Sequence, residues 1–180
     1  MVTSEQVIDF WFEEIDSKSW FKKDDAFDQL LKDRFFETLQ RASRAELYTW
    51  RESAEGRLAE IIVLDQFSRN LYRGSELAFA SDPLALALAQ EAVAQGCDRE
   101  LSSEKRTFLY MPYMHSESLM IHDIAVELFT DLGREDNLKY EIMHKDIIER
   151  FGRYPHRNEV LGRVSTAEEL EFLEQPGSSF

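Results

Sequence analysis

Apolar residues recur along this chain at intervals of three and four, and each such run is bracketed by helix-start and helix-stop residues. Phe27, Leu30, Leu31, Phe35 and Leu39 keep this spacing over a segment that Asp24 or Asp25 opens and that runs to about Ala42. Thr3 with Gln6 reads as a capping box for a first helix to about Glu13. Ser53 opens a third helix carrying Leu58, Ile61, Ile62, Asp65 and Arg69. Ser81-Asp82-Pro83 is a helix start, because proline is preorganised where its missing N–H is not needed. The Leu/Ala alternation from Leu84 to Ala94 imitates a strand period, but alanine's helix propensity and Gly96 beyond the end argue for a fourth helix. Ser102 or Ser103 opens a fifth that Pro112 interrupts. Ser116 caps a sixth, ending at Gly133; Glu135 to Phe151 is a seventh, stopped by Gly152; and Ser165 with Glu168 is a capping box for a short eighth.

No segment reads as a strand and no Asn-Gly or Asp-Gly hairpin turn occurs. The pattern predicts an all-α fold of about eight antiparallel helices with short connections, a bundle or irregular solenoid. With no linker or low-complexity stretch, residues 1–180 are expected to form one domain, residues 175–180 being a frayed tail.

Charge narrows the partners. The chain has 180 residues and a formal net charge of −14, so polyanionic nucleic acid and anionic membrane would be repelled by its average surface. The single cysteine, Cys97, makes neither an internal disulfide nor a thiolate zinc site. There is no basic-then-apolar leader at the N-terminus and no apolar run near the ~20 residues of a membrane span, so the expected location is cytoplasmic.

Three short segments break the rule of apolar stripe plus solvated charge: Asp65-Gln66-Phe67-Ser68-Arg69-Asn70, His115-Ser116-Glu117, and Arg150 to Asn158 continuing to Gly162-Arg163. With Leu64, Arg73-Gly74, Ala78-Phe79-Ala80 and Tyr110-Met111-Pro112, they make the chain resemble the bacterial family known as domain of unknown function 924, placed in the tetratricopeptide-like all-α superfamily. The resemblance runs from Phe10-Trp11-Phe12 to Phe172-Leu173 and implies a tetratricopeptide-like build. The family's pattern has proline where Ser68 stands and often glutamine where His122 stands.

The residues themselves suggest chemistry. Asp65 and Arg69 are four apart, so they share a helix face, either as an ion pair fixing a helix end or with Arg69 and Asn70 turned into a pocket. His115 and Glu117 sit near an expected helix N-terminus, whose positive end favours the carboxylate and a neutral imidazole, either as an acid/base pair near pH 7 or with His115 capping or hydrogen-bonding neighbouring backbone. From Arg150 to Arg163 there are four Arg against one Glu, and Gly152 and Pro155 break the helix, so this turn presents guanidinium forks suited to phosphate or carboxylate. The competing reading pairs those arginines internally with Asp65, Glu117 or other carboxylates.

No His-Glu-x-x-His spacing occurs, and His115, His122 and His144 do not make a ligand set, so no metal is expected; no cofactor signature or nucleophile motif appears. Trp11, Phe12, Trp20, Phe21, Trp50, Phe67, Phe79, Tyr110 and Tyr113 read as core. The favoured reading is a pocket for a small anion: Asp65, Arg69, Asn70, Arg153, His156, Arg157 and Asn158 bind, and His115 and Glu117 act as acid and base in hydrolysis or proton transfer if catalysis occurs. The alternative is a tetratricopeptide-like scaffold for a partner protein, with the charged motifs as internal struts.

Overall fold

The structure, a computed structural model, describes residues 1–179. Eight helices form it, and no strand occurs among the described residues. α1 is Ser4–Asp9 prolonged by a π turn, Phe10–Glu14; α2 is Asp25–Ser43; α3 is Ala54–Ile62, a π turn Val63–Phe67, and Ser68–Leu71. α4 is Asp82–Ala94, α5 Ser103–Met114, α6 Leu119–Leu132, α7 Glu135–Phe151 and α8 Ala167–Leu173.

α3 is the axis of the molecule. It packs against α1, α2, α4 and α5, and every residue from Leu58 to Ser68 is buried. A helix covered on all sides must be apolar all round, and Leu58, Ile61, Ile62, Val63, Leu64 and Phe67 make it so. Its polar members need partners there: Glu60 takes both oxygens to Arg51 at 2.6 and 2.8 Å. Helix α3 begins hard against the carbonyl of Trp50, where a Cβ on Gly56 would overlap it, so this close approach requires glycine. Beside α3, aromatic rings interlock: Trp11 lies 5.5 Å from Phe67 and 5.7 Å from Phe108, and Phe35 is 4.9 Å from both Phe10 and Phe67. These fully desolvated rings supply much of the core's apolar area.

Several boundaries differ from expectation. Pro112 does not interrupt α5, which continues to Met114. Lying nine residues past Ser103, it removes the backbone hydrogen bond to the Phe108 carbonyl, a local loss within a helix that is buried from Thr107 to Met114. α6 begins at Leu119 after Ser118; the Ser116 hydroxyl instead accepts from the Ser118 N–H in the preceding turn. The last capping box is shifted by one residue, to Thr166 and Glu169. Of the tail expected to fray, residues 175–179 carry a buried Ser178 whose hydroxyl donates to the Leu173 carbonyl, while Phe180 lies outside the described residues. Residues 76–94 are apolar enough to suggest a membrane span, but the continuous helix is 13 residues, about 20 Å, and its first residue is Asp82.

Candidate functional site

The π turn in α3 carries Asp65 and Gln66. A π turn inserts an extra residue into the helical register and is a frequent mark of functional positions. Here it sets a carboxylate in the dry centre of the protein. Asp65 Oδ1 lies 2.7 Å from His115 Nδ1 and 3.2 Å from Arg69 Nη1, and Oδ2 accepts from Gln66 Nε2 at 2.6 Å. Arg69 also donates to the Asp65 carbonyl at 2.7 Å and forks onto both oxygens of Asp82, at 2.9 and 3.0 Å. Arg157, from the turn Pro155–Arg157, reaches Asp82 Oδ2 at 3.3 Å and the His115 carbonyl at 3.0 Å. The three polar segments of the sequence therefore meet, joined through Asp82 at the start of α4.

Charge states follow from these contacts. Burial alone would raise the Asp65 carboxyl, but His115, Arg69 and Gln66 outweigh it and hold it well below the usual carboxylate range. An ionised Asp65 only accepts, so the proton it faces sits on His115 Nδ1. Burial, then the cation of Arg69, lowers His115 below its ordinary value against the pull of Asp65, leaving a neutral imidazole near pH 7. Its Nε2 makes no hydrogen bond to the described residues and is the basic atom on offer. His115 caps the C-terminus of α5 instead of standing at a helix N-terminus, so burial beside Arg69, not a positive helix end, keeps it neutral.

Arg157 is the under-compensated cation. It is 6% exposed, lies over Phe79 and Tyr154 at 4.5 and 4.7 Å, and shares the Asp82 carboxylate with Arg69. Its Nε is buried without an acceptor. Burial, then Arg69, pulls its pKa down from the guanidinium range.

These groups border a cavity of about 630 Å³. Lys22, Arg69, Arg73 and Arg157 line it, with His115, His144 and His156, and none of the described lining residues is Asp or Glu. The carboxylates lie behind the wall: Asp65 and Asp82 hold Arg69, and Asp28 holds Arg73 at 2.7 and 3.0 Å. Burial is the first cause that lowers His144 to about 3 and His156 to about 4, with neighbouring cationic side chains adding to it at His156. Apolar groups complete the lining, among them Trp20, Phe21, Met111 and Met114. His115, Arg157 and Phe79 also border a second cavity of about 600 Å³, on whose wall stand Glu76, Asp82 and Glu117.

Not every expected residue faces the cavity. Asn70 lines it while donating to Asp28 at 2.8 Å. Arg153 lies elsewhere, forked onto Glu169 at 2.7 and 2.8 Å. Asn158 is buried between Arg163 and Ser165. Both oxygens of Glu117 are taken by Arg163, at 2.7 and 2.8 Å, and one also accepts from the Tyr154 N–H at 2.8 Å. These bonds overcome the upward push of burial and lower its carboxyl, so Glu117 is held as a structural anion. Trp20, Phe21 and Phe79 border the cavity instead of lying in the core, and Phe21 is 70% exposed. Asp82, Asp28, His144 and Tyr154 were not legible as site residues. Asp82 read as a helix start, and nothing in its neighbourhood signals two arginines 13 and 75 residues away. A separate buried pair, His122 Nδ1 to Glu141 Oε1 at 2.7 Å, adjoins Tyr154, whose hydroxyl donates to the Met114 carbonyl at 2.6 Å. Among the described residues no group of three His, Cys, Asp or Glu is placed to hold a metal ion.

Comparison with known proteins agrees with the fold. The family model described as bacterial protein of unknown function (DUF924) matches residues 7–177. A solved structure of a protein of unknown function from Agrobacterium tumefaciens is similar at 42% identity and a TM-score of 0.90, over 95% of this chain and 96% of that one. No curated protein matches.

Proposed function

The chain belongs to the bacterial DUF924 family, and for it we propose a binding site for a small phosphate- or carboxylate-bearing molecule in the large cavity, with His115 as the acid/base group. The observation that carries this reading is the sorting of charge: in a protein of net charge −14, the described residues of the cavity wall include four Lys and Arg side chains and no Asp or Glu. Guanidinium groups fixed from behind by Asp28, Asp65 and Asp82 lose little freedom when an anion docks on their open side. Arg157, short of an acceptor at Nε, is a cation whose burial an incoming anion would offset.

The Asp65–His115 pair resembles an oriented general base, a buried carboxylate holding the imidazole so that Nε2 accepts a proton. Hydrolysis or proton transfer on the bound anion suits it. Glu117, committed to Arg163, drops from the acid/base role, and Arg153 and Asn158 from the binding role. The Glu117 and Arg153 ion pairs, with the Asn158 hydrogen bonds, are the struts that a tetratricopeptide-like scaffold reading would use, and that reading remains the alternative. The free thiol of Cys97 suits a reducing, cytoplasmic setting.

The test is titration with inorganic phosphate, followed through the imidazole resonances of the labelled protein. A bound anion raises the pKa of the nearby imidazoles, so saturable shifts at His115, His144 and His156, lost in Arg157→Met, are expected. Phosphate that leaves all three rings unmoved sinks the proposal.

A further inference from the structure

Size and lining say more about the ligand than its charge. A cavity of about 630 Å³ lies within the range that holds drug-sized molecules, roughly 300–1,000 Å³, and far exceeds the needs of a bare oxyanion. Two of its cations, Arg69 and Arg157, stand apart from the aromatic pair Trp20 and Phe21, which Lys22 follows in the chain. Arg69, Arg157, Phe79 and Asp82 gather around His115, at the C-terminal end of α5. Trp20 and Phe21 lean on Phe108, at 4.8 and 6.2 Å, seven residues earlier on the same helix. Seven residues of helix span about 10 Å, and Met111 and Met114, which border the cavity, lie on α5 between Phe108 and His115. Methionine is the side chain best able to adjust to the outline of an apolar guest. Phe21, stacked on Phe108 at an interplanar angle of 11° yet 70% exposed, is an aromatic face left for something to cover.

We infer that the ligand is an amphipathic anion, with a phosphate or carboxylate head at Arg69 and Arg157 beside His115, and an apolar body laid along Met114 and Met111 toward Trp20 and Phe21. This rests on the anion-site reading and adds the tail. The head accounts for Arg69 and Arg157, and the body accounts for a lining that runs through Met114 and Met111 to Trp20 and Phe21. The head group would then be presented to His115 Nε2 while the body sets the register, so the apolar end is a specificity determinant for whatever the imidazole does.

The experiment titrates the whole protein, by calorimetry, with inorganic phosphate, n-alkyl phosphates and n-alkyl carboxylates of increasing chain length, and the matching n-alkanols, all below micelle-forming concentration. Affinity is expected to rise about fourfold per added methylene, the factor that ~0.8 kcal/mol per buried CH₂ implies, until the tail spans the cavity. The phosphate and carboxylate series separate the two head groups. Phe21→Ala, a change at an exposed position, is expected to shrink the ratio of octyl phosphate to phosphate affinity. Inorganic phosphate binding as tightly as octyl phosphate would overturn the tail and leave the anion site standing. Alkanols binding as tightly as alkyl phosphates would overturn the anion site instead, and absence of binding by every head-bearing ligand would overturn both.

Discussion

Replacing Asp65 by Asn removes one charge and little volume from the centre of the protein, which isolates what that charge does. The carboxylate accepts from His115, Arg69 and Gln66, and none of its oxygen surface reaches solvent. An amide has one acceptor oxygen, so at least one of these donors must face an N–H₂ group. Turned toward His115, that group forces the imidazole proton from Nδ1 to Nε2 and removes the basic atom from the cavity. Stripping one partner from a buried ion pair typically costs about 3–5 kcal/mol. Arg69 keeps its fork to Asp82, so a loss at or just below the bottom of that range is expected, about 2–3 kcal/mol. In a chain of this length that is a fall in Tm of about 4–12 °C. Urea unfolding at neutral pH measures the first quantity, and the ring ¹⁵N shifts of His115 report the tautomer. Combining Asp65→Asn with His115→Ala should recover at least about 0.5 kcal/mol of coupling. A stability loss under about 0.5 kcal/mol, with the His115 proton still on Nδ1, would refute the pairing on which the acid/base assignment stands.

Three further outcomes follow from the same contacts. Burial lowers His144 to about 3 and His156 to about 4, so between those values and the unfolded value near 6.5 only the unfolded chain binds their protons. The stability they confer is complete above about pH 6.5 and falls as pH drops; urea melts should show a loss of about 3 kcal/mol by pH 5, and a flat profile over that window would contradict it. Gly56→Ala drives a methyl into the Trp50 carbonyl at the start of α3 and is expected to cost about 1–3 kcal/mol in the same melts, whereas ordinary helix propensity would have it stabilise. Arg163→Met leaves half-buried Glu117 without its bidentate partner and should lower stability by about 1–3 kcal/mol, while phosphate affinity in calorimetry falls far less than in Arg157→Met.

Helix positions were legible because their causes are local. Thr3 with Gln6, Asp24, Ser53, Pro83, Gly133 and Gly152 act within a turn or two of where they stand, and the structure uses each of them. The misplaced caps show the limit of the same logic. Ser116 and Ser165 stand two residues or one from the true N-caps, Ser118 and Thr166, and local chemistry does not choose between neighbouring hydroxyls. The three polar segments stood out because they break a helical protein's ordinary pattern, and Asp65, Arg69, His115, His156 and Arg157 do come together.

From the sequence alone came the all-α class, about eight helices, and the residues whose polarity the core does not explain. Only the tertiary structure decided which charges meet. With 35 carboxylates and 21 Lys and Arg, pairing depends on chain paths, not on residue type. It assigned Asp82 to both Arg69 and Arg157, and Glu117 and Glu169 to Arg163 and Arg153. The π turn under Asp65, the gathering of Arg69, Arg73 and Arg157 on one cavity wall and the exposed face of Phe21 likewise depend on how separate helices pack. Their causes are contacts between residues far apart in the chain, which no local periodicity encodes.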